Sequence, residues 1–482
     1  MNDKRENCGL FGVFGHPEAA RLTFMGLFAL QHRGQESAGI ASAAADGRGL
    51  KHYVGMGLVR EVFRDSDLQA LRNPVAIGHV RYSTTGFSRI ENAQPLVASF
   101  SRGTVAVAHN GNLTNAKALR DQFEAQGSIF RTTNDTEIIL HLLARPEMAQ
   151  AADPFARVLD RLDGAFSLLL LTPSEMIAAC DPYKIRPLSL GRLDGAYVLA
   201  SETCAFDLLG VEYLRDIEPG EILHITGAGP EAPAASGAGL RSATFCHPER
   251  LRPAHCIFEH IYFARPDSYV FKDSVHAVRR KLGRQLAREQ PVAADVVFAV
   301  PDTGNSASVG YSLESGIPLD IGFIRSHYVG RTFINPDQRD RDILVQAKMN
   351  PMREVVAGKR VVVIDDSVVR GTTTRGKMKA LRRAGATEIH LRISSPPVRN
   401  PCFYGIDFPT TDELLAAART PAEIAEFLGI DSIGYLSVPG MLSCVTQPPD
   451  HYCTACFTGR YPVPICGASG KFAMERHQLS MF

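Results

Sequence analysis

One segment, VVVIDDSVVRGTTT at positions 361–374, constrains the fold of this 482-residue chain more than any other. Its leading apolar residues predict a buried strand, and the carboxylates of Asp365 and Asp366 stand at the carboxyl end of that strand. A short loop rich in glycine and hydroxyl side chains then leads into a predicted helix at 374–384, which Gly385 is expected to end. In sheets built from such units, ligands bind just beyond the carboxyl ends of the strands.

Strands and helices alternate through the second half of the chain. Further strands are predicted at 295–300 and Glu388–Ile393, on either side of the strand at 361–364. This alternation predicts an α/β domain with a parallel sheet.

Short apolar runs dominate the first half, where they predict sheet layers with helices outside. The predicted elements are strands at 104–108 and 168–171, a hairpin around Asp194–Gly195 and a helix at 135–143. The strand at 104–108 is expected to lead into a turn at Asn110 and Gly111. The low-complexity stretch GAGPEAPAASGAG at 227–239 predicts a linker or loop between the two halves.

Charge and hydropathy narrow the class of protein. The formal net charge of +1 gives no field of one sign that could gather nucleic acid or a membrane surface, so neither is an expected partner. No apolar run approaches the ~18 residues of a membrane span. Residues 1–7 are polar and mixed in charge, so we expect no signal peptide and a cytoplasmic protein.

The loop after the strand at 361–364 has the chemistry of a phosphate site. Backbone N–H groups at a helix start favour a phosphate, and the hydroxyls of Thr372, Thr373 and Thr374 add donors. The paired acids Asp365 and Asp366 can hold ribose hydroxyls or a magnesium-bound oxygen. An isolated pair of acids after a strand more often caps the following helix. Here the hydroxyl-rich loop beside the acids favours a ligand-binding site instead.

Two other segments could serve an anionic substrate. The loop PDTG at 301–304 could present amides and a hydroxyl to a pyrophosphate, although alone this pattern usually marks a turn. The segment 328–350 is either a mobile basic lid or an exposed charged loop, and the sequence favours neither reading. Its cationic residues are Arg331, Arg339, Arg341 and Lys348.

Cys8 is the candidate nucleophile of the first half. If residues 1–7 are removed, its own α-amine, with a reference pKa of ~8, can act as the base for the thiol. A lone cysteine near an N-terminus is usually a buried structural residue, but four motifs follow it in order. They are QHRGQESAG at 31–39, GHVRYST at 78–84, HNGNL at 109–113 and NDTE at 134–137.

Together these motifs resemble the N-terminal-nucleophile glutamine amidotransferases, a family of four-layer αββα proteins. The resemblance implies that Cys8 attacks the glutamine amide. It also implies an oxyanion hole made by the Asn110 side chain and the Gly111 N–H. Arg81 would bind the α-carboxylate of glutamine and Asp135 its α-amine, pairings that suit a guanidinium and a carboxylate.

Four of the ten cysteines form a second constellation. Cys453 and Cys456 make a Cys-x-x-Cys pair, whose spacing alone leaves zinc, iron–sulfur and redox roles open. The surroundings of this pair, of Cys256 and of Cys402 resemble the iron–sulfur branch of the glutamine phosphoribosylpyrophosphate amidotransferases, which implies four thiolate ligands to a [4Fe-4S] cluster. The other cysteines are Cys246, Cys444 and Cys466, possible alternative ligands, and Cys180 and Cys204, expected in the core.

The resemblance to that family extends from about Cys8 to about Pro462. It implies a propeptide at 1–7, a glutaminase domain at 8–235 and an α/β type I phosphoribosyltransferase domain at 245–470. The implied reaction moves glutamine-derived ammonia onto phosphoribosyl pyrophosphate at the start of purine synthesis. The implied phosphoribosyl pyrophosphate ligands are Asp365, Asp366, Ser367, Arg370, Gly371, Thr372 and Thr373, with Mg²⁺ held by Thr303, Asp365 and Asp366.

The same resemblance implies a homotetramer that purine nucleotides inhibit. Two departures from the family pattern stand out. Gln346 occupies the place of an arginine in the basic segment, and Lys184 that of a glycine. Two other functions compete: an amidotransferase with another acceptor, against which the loop at 361–374 argues, and a purine-sensing regulator that binds DNA, against which the net charge argues.

Overall fold

The computed structural model describes residues 8–43, 49–82, 88–227, 239–326, 349–408 and 410–465. Several of the sequence expectations fall outside these ranges. They are the propeptide at 1–7, the end of the GHVRYST motif at 83–84, most of the predicted linker or loop at 227–239, the cationic residues Arg331, Arg339, Arg341 and Lys348 together with Gln346, and Cys466.

Two antiparallel sheets form the first half. The seven-stranded sheet has the order β11-β9-β10-β1-β4-β2-β3, and the six-stranded sheet the order β13-β12-β8-β7-β6-β5. The strands are β1 (Gly9–Phe14), β2 (Ser37–Ala43), β3 (Leu50–Met56), β4 (Val75–Arg81), β5 (Leu96–Phe100), β6 (Gly103–Leu113), β7 (Gly164–Leu171), β8 (Glu175–Cys180), β9 (Ser189–Leu193), β10 (Ala196–Ala200), β11 (Glu212–Asp216), β12 (Glu221–Thr226) and β13 (Gly239–Thr244).

Helices cover the outer face of each sheet. One apolar core lies between the sheets, where Leu10 and Ile77 meet Leu169 and Met176, and two further cores lie under the helices. The helices are Ala19–Ala29, Val59–Val62, Asp65–Ala70, Ala116–Ala125, Glu137–Leu143, Pro154–Leu159 and Cys204–Leu209. Because side chains alternate between the two faces of each strand, each sheet packs against the other sheet on one face and against helices on the other, and four αββα layers result. The predicted fold class of this half is confirmed.

Two expectations for this half need correction. Asn110 and Gly111 do not form a turn; they lie inside β6, where they pair with Ser167 and Phe166 of β7. The stretch at 227–239 connects two paired strands of one sheet, since β13 aligns with β12 from Gly239 to Thr244. The six-stranded sheet therefore continues past the predicted domain boundary at 235. The hairpin at Asp194–Gly195 is confirmed.

The second half contains a parallel sheet of order β17-β20-β21-β22. The strands of this sheet are β17 (Val296–Ala299), β20 (Arg360–Asp365), β21 (Glu388–Ile393) and β22 (Ser432–Tyr435). Six short strands form three separate pairs: β14 (His255–Cys256) with β23 (Tyr452–Cys453), β15 (Tyr269–Val270) with β16 (Asp273–Ser274), and β18 (Phe323–Arg325) with β19 (Met349–Pro351). The predicted parallel α/β sheet is confirmed.

Helices pack on both faces of this sheet, and a buried core lies on each side. The helices are Val275–Glu289, Asn305–Ser315, Arg353–Val356, Thr372–Arg383, Leu415–Ala418, Pro421–Leu428, Val438–Leu442 and Ala455–Thr458, and a single π-helical turn spans Glu259–Phe263. The helix after the loop begins at Thr372, two residues earlier than predicted, because Gly371, with φ of 77°, makes the turn into it.

The two halves share one apolar core. Ala165 and Ile185 of the first half pack in the same cluster as Ile257, Phe258 and Tyr404 of the second. Among the described residues, no helix is both long enough and apolar enough to cross a membrane.

Candidate active site

Cys8 directly precedes β1, the central strand of the seven-stranded sheet. The residue is 8% exposed, and its Sγ donates to the carbonyl oxygen of Tyr82 at 3.6 Å. Burial raises the pKa of the Cys8 thiol, and the Tyr82 carbonyl and the Arg81 guanidinium offset only part of that rise. The thiol is therefore protonated at rest and needs a base before it can attack.

Arg81 ends β4, the neighbour of β1. The register pairs Gly9 with Val80 and so carries Arg81 to the edge where Cys8 lies. Nη1 of Arg81 lies 3.7 Å from a carboxylate oxygen of Glu36. Burial lowers the pKa of Arg81, whereas Cys8, Glu36 and Asp135 act against this shift. The structure thus gathers Cys8, Arg81 and Asp135 as electrostatic neighbours, as the motifs led us to expect.

Asp135 precedes the helix Glu137–Leu143 and is buried. Its Oδ2 accepts the N–H of Leu113 at 2.9 Å, and its Oδ1 lies 3.7 Å from Nδ1 of His109. Burial alone would raise the pKa of Asp135, but His109 and backbone N–H donors outweigh it and lower the pKa. The carboxylate is thus charged at neutral pH and can hold an ammonium group.

Asn110 and Gly111 form the part of β6 that can bind an oxyanion. In the described part of the chain, Nδ2 of Asn110 is a buried donor without a hydrogen-bond partner. Such a donor is costly unless a ligand satisfies it. Gly111 has a φ of 150°, and a Cβ there would lie 2.0 Å from the carbonyl oxygen of Ala165, so no larger residue fits. Gly405 of the second half packs against the backbone of Gly111.

A buried charge cluster behind Cys8 escaped the sequence reasoning. Nε of Arg33 donates to the Cys8 carbonyl at 2.9 Å, and the Arg33 guanidinium also bonds Glu202 and Glu259. Arg186 bonds Glu259 at 3.2 Å from the other side. All four side chains are fully buried. Arg33, Arg186 and Glu259 lie within stretches that carry the family resemblance, but the sequence did not show that they pair with one another or with Glu202.

A second polar site lies at the carboxyl ends of β17 and β20. Asp365 and Asp366 are buried there, and the Thr303 hydroxyl donates to Asp366 from the neighbouring loop. The other Asp366 oxygen accepts the hydroxyl of Ser367 at 2.6 Å. The predicted site residues Thr303, Asp365, Asp366 and Ser367 thus come together at one sheet edge.

The loop that follows carries the remaining predicted phosphate ligands. Gly371 packs so closely on Leu415 that a Cβ would lie 2.7 Å from its side chain. Thr372 and Thr373 form the first turn of the helix Thr372–Arg383, where backbone N–H groups point toward the strand ends. Arg370 bonds Glu413 at 3.2 Å, so its guanidinium is tethered beside the loop.

Four thiols line one small cavity. Cys256, Cys402, Cys453 and Cys456 share it with apolar and aromatic side chains, and the parallel pairing of β14 with β23 sets Cys256 opposite Cys453. Burial raises the pKa of the Cys256 thiol to about 12, and the nearby Arg186 guanidinium offsets only part of that rise. In the described ranges no three candidate ligands are grouped tightly enough for a single metal ion.

The possible alternative ligands Cys246 and Cys444 do not line this cavity. Cys180 and Cys204 are buried core residues, as predicted.

Lys184, which stands where the family pattern has a glycine, adopts a backbone conformation that glycine favours. Its φ is 48°, in the left-handed region, and its buried ammonium contacts Asp216 at 3.0 Å. The ion pair holds a residue that would otherwise favour another backbone conformation.

Known proteins share this architecture. A family model described as a glutamine amidotransferase domain matches residues 79–207. The amidophosphoribosyltransferase of Bacillus subtilis (strain 168) is 48% identical over 465 residues, which cover 95% of each chain.

Two solved structures match nearly the whole chain. One is described as the glutamine phosphoribosylpyrophosphate amidotransferase from B. subtilis complexed with ADP and GMP, with a TM-score of 0.87, 45% identity, and coverage of 96% of this chain and 99% of that one. The other, described as the allosteric regulatory enzyme of purine biosynthesis, has a TM-score of 0.88, 45% identity, and coverage of 97% and 99%.

Proposed function

Because this chain belongs to the amidophosphoribosyltransferase family, whose members catalyse the first step of purine biosynthesis, we propose residue by residue how it does so. Cys8 takes ammonia from glutamine, and the sheet edge around Asp365 and Asp366 binds phosphoribosyl pyrophosphate. The proposal rests on the gathering of Cys8, which directly precedes the central strand, with Arg81 and Asp135, whose charges act on its thiol.

Glutamine hydrolysis begins at Cys8. Arg81 holds the α-carboxylate of glutamine and Asp135 its α-ammonium, so the side-chain amide faces the thiol. The α-amine of a processed Cys8 accepts the thiol proton, and sulfur then bonds to the amide carbon. Nδ2 of Asn110 and the N–H of Gly111 stabilise the oxyanion. The α-ammonium of Cys8 returns the proton to the amide nitrogen, the carbon–nitrogen bond breaks and ammonia leaves. Water then hydrolyses the thioester to glutamate and restores the thiol.

Transfer to the sugar needs no further nucleophile from the protein. Ammonia forms a bond to C1 of the ribose as the bond from C1 to the pyrophosphate oxygen breaks. Asp365 and Asp366 hold the ribose hydroxyls, while Thr372 and Thr373 bind the 5-phosphate at the helix start. The products are 5-phosphoribosylamine and pyrophosphate.

The donors at this edge suit Mg²⁺. Asp365, Asp366 and the Thr303 hydroxyl present hard oxygen atoms close together, which is the donor set that this ion prefers. When bound with substrate, the ion would neutralise charge on the pyrophosphate. Thr303 orients Asp366 through their hydrogen bond, whether or not it also contacts the ion.

The four-cysteine cavity suits a [4Fe-4S] cluster. Its thiols come from three separate segments of the second half, so a cluster there would tie those segments together. Because the reaction involves no oxidation or reduction, we assign the cluster a structural role. Iron and acid-labile sulfide in anaerobically purified protein would support this; stoichiometric zinc without sulfide would contradict it.

The remaining features follow from the family. We propose that residues 1–7 are a propeptide whose removal frees the Cys8 amine, and that the protein is a cytoplasmic homotetramer. Because the solved relative was complexed with ADP and GMP, we propose purine nucleotides as inhibitors. Mass determination, light scattering and inhibition assays test these points separately.

Active-site labelling tests the nucleophile. A diazo ketone analogue of glutamine should modify one cysteine, and peptide mapping should place it at Cys8. Protection by glutamine is expected, because Arg81 and Asp135 would bind both molecules. Labelling that is spread over other cysteines, or that glutamine does not block, would contradict the proposal.

A further inference from the structure

The nucleophile of the glutaminase half is braced by a residue of the other half. Glu259 lies in the π-helical turn Glu259–Phe263, shortly after β14, and is fully buried. Its two carboxylate oxygens accept Nη1 and Nη2 of Arg33 at 3.0 and 2.9 Å. This two-pronged geometry fixes the plane of the guanidinium as well as its position.

Arg33 passes that constraint directly to the nucleophile. Its Nε donates to the Cys8 carbonyl oxygen at 2.9 Å, so one guanidinium joins Glu259 to the backbone of Cys8. Glu202 bonds the same guanidinium from within the first half. Burial would lower the pKa of Arg33, but Glu259 and Glu202 raise it strongly, so the cation is permanent.

A second arginine anchors Glu259 from behind. Nη1 of Arg186 donates to Glu259 at 3.2 Å, and Nε and Nη2 donate to the carbonyl oxygen of Tyr404 at 3.1 and 2.7 Å. Tyr404 follows Phe403, whose carbonyl accepts Nδ2 of Asn112 at 2.9 Å. The same second-half segment therefore contacts β6, which carries the proposed oxyanion donors, one residue beyond Gly111.

We propose that Glu259 is a positioning residue for glutamine hydrolysis: it holds Arg33, and through Arg33 the backbone of Cys8, in the orientation that attack requires. The glutaminase half is then complete only when the second half is docked on it. The inference rests on the proposed role of Cys8 as nucleophile. The role is indirect, because Glu259 acts through its bonds to Arg33, which in turn bonds the Cys8 backbone.

The test replaces Glu259 by Gln in the full chain, which keeps its volume and removes its charge. Displacing a reacting group by about 1 Å can cost about 10²-fold in rate. We therefore expect glutamine hydrolysis to lose about 10²-fold in kcat, with the KM for glutamine little changed, since Arg81 and Asp135 are intact. Pyrophosphate release driven by added ammonium should stay within about twofold, because ammonia bypasses Cys8.

Two controls separate positioning from folding. Asp216→Asn breaks a different buried pair, the 3.0 Å contact with Lys184, and should leave the kcat for glutamine unchanged. Glu259→Asp keeps the charge balance of the cluster but shortens the side chain, so it should fold and lose about tenfold in kcat. If Glu259→Gln does not fold, the Asp variant decides.

The outcomes are distinct. A Glu259→Gln enzyme with the kcat of the parent overturns the inference, as does an equal loss of the glutamine-driven and ammonia-driven activities. If Cys8→Ala, assayed alongside, still hydrolyses glutamine, the proposed function of Cys8 fails instead. Rates of Cys8 labelling give a further readout: the glutamine analogue should react more slowly with Glu259→Gln than with the parent.

Discussion

The two proposed sites are built in opposite ways. At the glutaminase site, Cys8 is held through its backbone by Arg33 and, behind it, by carboxylates that stand 169 and 226 residues from that arginine in the chain. At the sugar site, Asp365, Asp366 and Ser367 are consecutive, and in the part of the chain that the structure describes Thr303 joins them from a neighbouring loop. One site depends on long-range packing of both halves, whereas the other is largely a property of a single strand–loop–helix unit.

This difference predicts different sensitivities. A site made by one local unit keeps its shape as long as that unit folds, so its variants should change binding or charge stabilisation directly. A site braced by buried charges can lose rate through residues that never meet the substrate, because each charge depends on its partners.

Removing the Cys8 thiol should have the largest effect. Cys8→Ala is expected to lower glutamine-driven pyrophosphate release by about 10⁴–10⁶-fold, as when a covalent nucleophile is lost. Release driven by ammonium should persist, since the sugar site is separate. Assays with each nitrogen source on the same preparation measure this. Equal loss of both activities would mean that the two sites cannot be separated as described.

Removing the Asn110 side-chain donor should have the second largest effect. Asn110→Ala is expected to cost about 10²–10³-fold in the kcat of glutamine hydrolysis, with a smaller change in KM, because the donor acts mainly on the transition state. Its buried Nδ2 has no other partner among the described residues, so the change breaks no existing bond of that atom. Steady-state kinetics check it, and a change confined to KM would reject the assignment.

The sugar site should respond in the reverse pattern. Asp366→Asn is expected to lower pyrophosphate release by about 10²-fold with glutamine or ammonium alike, since it removes charge where the substrate binds. Labelling of Cys8 in the absence of phosphoribosyl pyrophosphate should be unchanged, because Asp366 lies in the other unit. Slower labelling under those conditions would show that the local-site description is wrong.

A charge cluster remote from both sites should affect stability only. His224 lies between Asp153 at 2.9 Å and Glu175 at 3.0 Å; burial lowers its pKa, but the two carboxylates outweigh burial and raise it to about 9. Because the folded pKa exceeds the ordinary value near ~6.5, this stabilisation is complete below that pH and is lost as pH rises through about 9.

His224→Gln should therefore flatten the pH dependence of thermal unfolding between pH 6.5 and 9. Each kcal/mol lost shifts the unfolding midpoint by about 2–4 °C in a chain region of this size. Glutamine hydrolysis at 25 °C should not change. Unfolding curves at several pH values measure the effect. An unaltered pH dependence would show that the ion pairs of His224 do not stabilise the fold.

Local patterns in the sequence predicted what is locally determined. The apolar run before Asp365, the loop and the helix after it predicted the strand β20 and the position of the two acids. The motifs of the first half predicted that Cys8, Arg81 and Asp135 lie in one site. The turn expected at Asn110 and Gly111 was wrong because a glycine can indicate either a turn or a close approach of two backbones within a sheet. Here it permits a positive φ and a close approach to β7 within a strand, and pairing with β7 decides the structure.

The bracing of the nucleophile could not be predicted. Glu259 and Arg186 stand in apolar or turn-rich surroundings, and nothing within a few residues of either one indicates an ion pair. Their role emerges only when the two halves pack and their charges are buried together. Such residues are found by asking, in a structure, where each buried charge is compensated.

The glutaminase site and the sugar site are proposed to be coupled within one chain, and product stoichiometry tests that coupling. Glutamate and pyrophosphate should be quantified together, on anaerobically purified protein with glutamine and Mg²⁺, with and without phosphoribosyl pyrophosphate. We expect glutamate formation to rise when the sugar is added, with pyrophosphate appearing in about equal amount. Glutamate formation that ignores the sugar, with no pyrophosphate released by processed and cluster-loaded protein, would contradict the account.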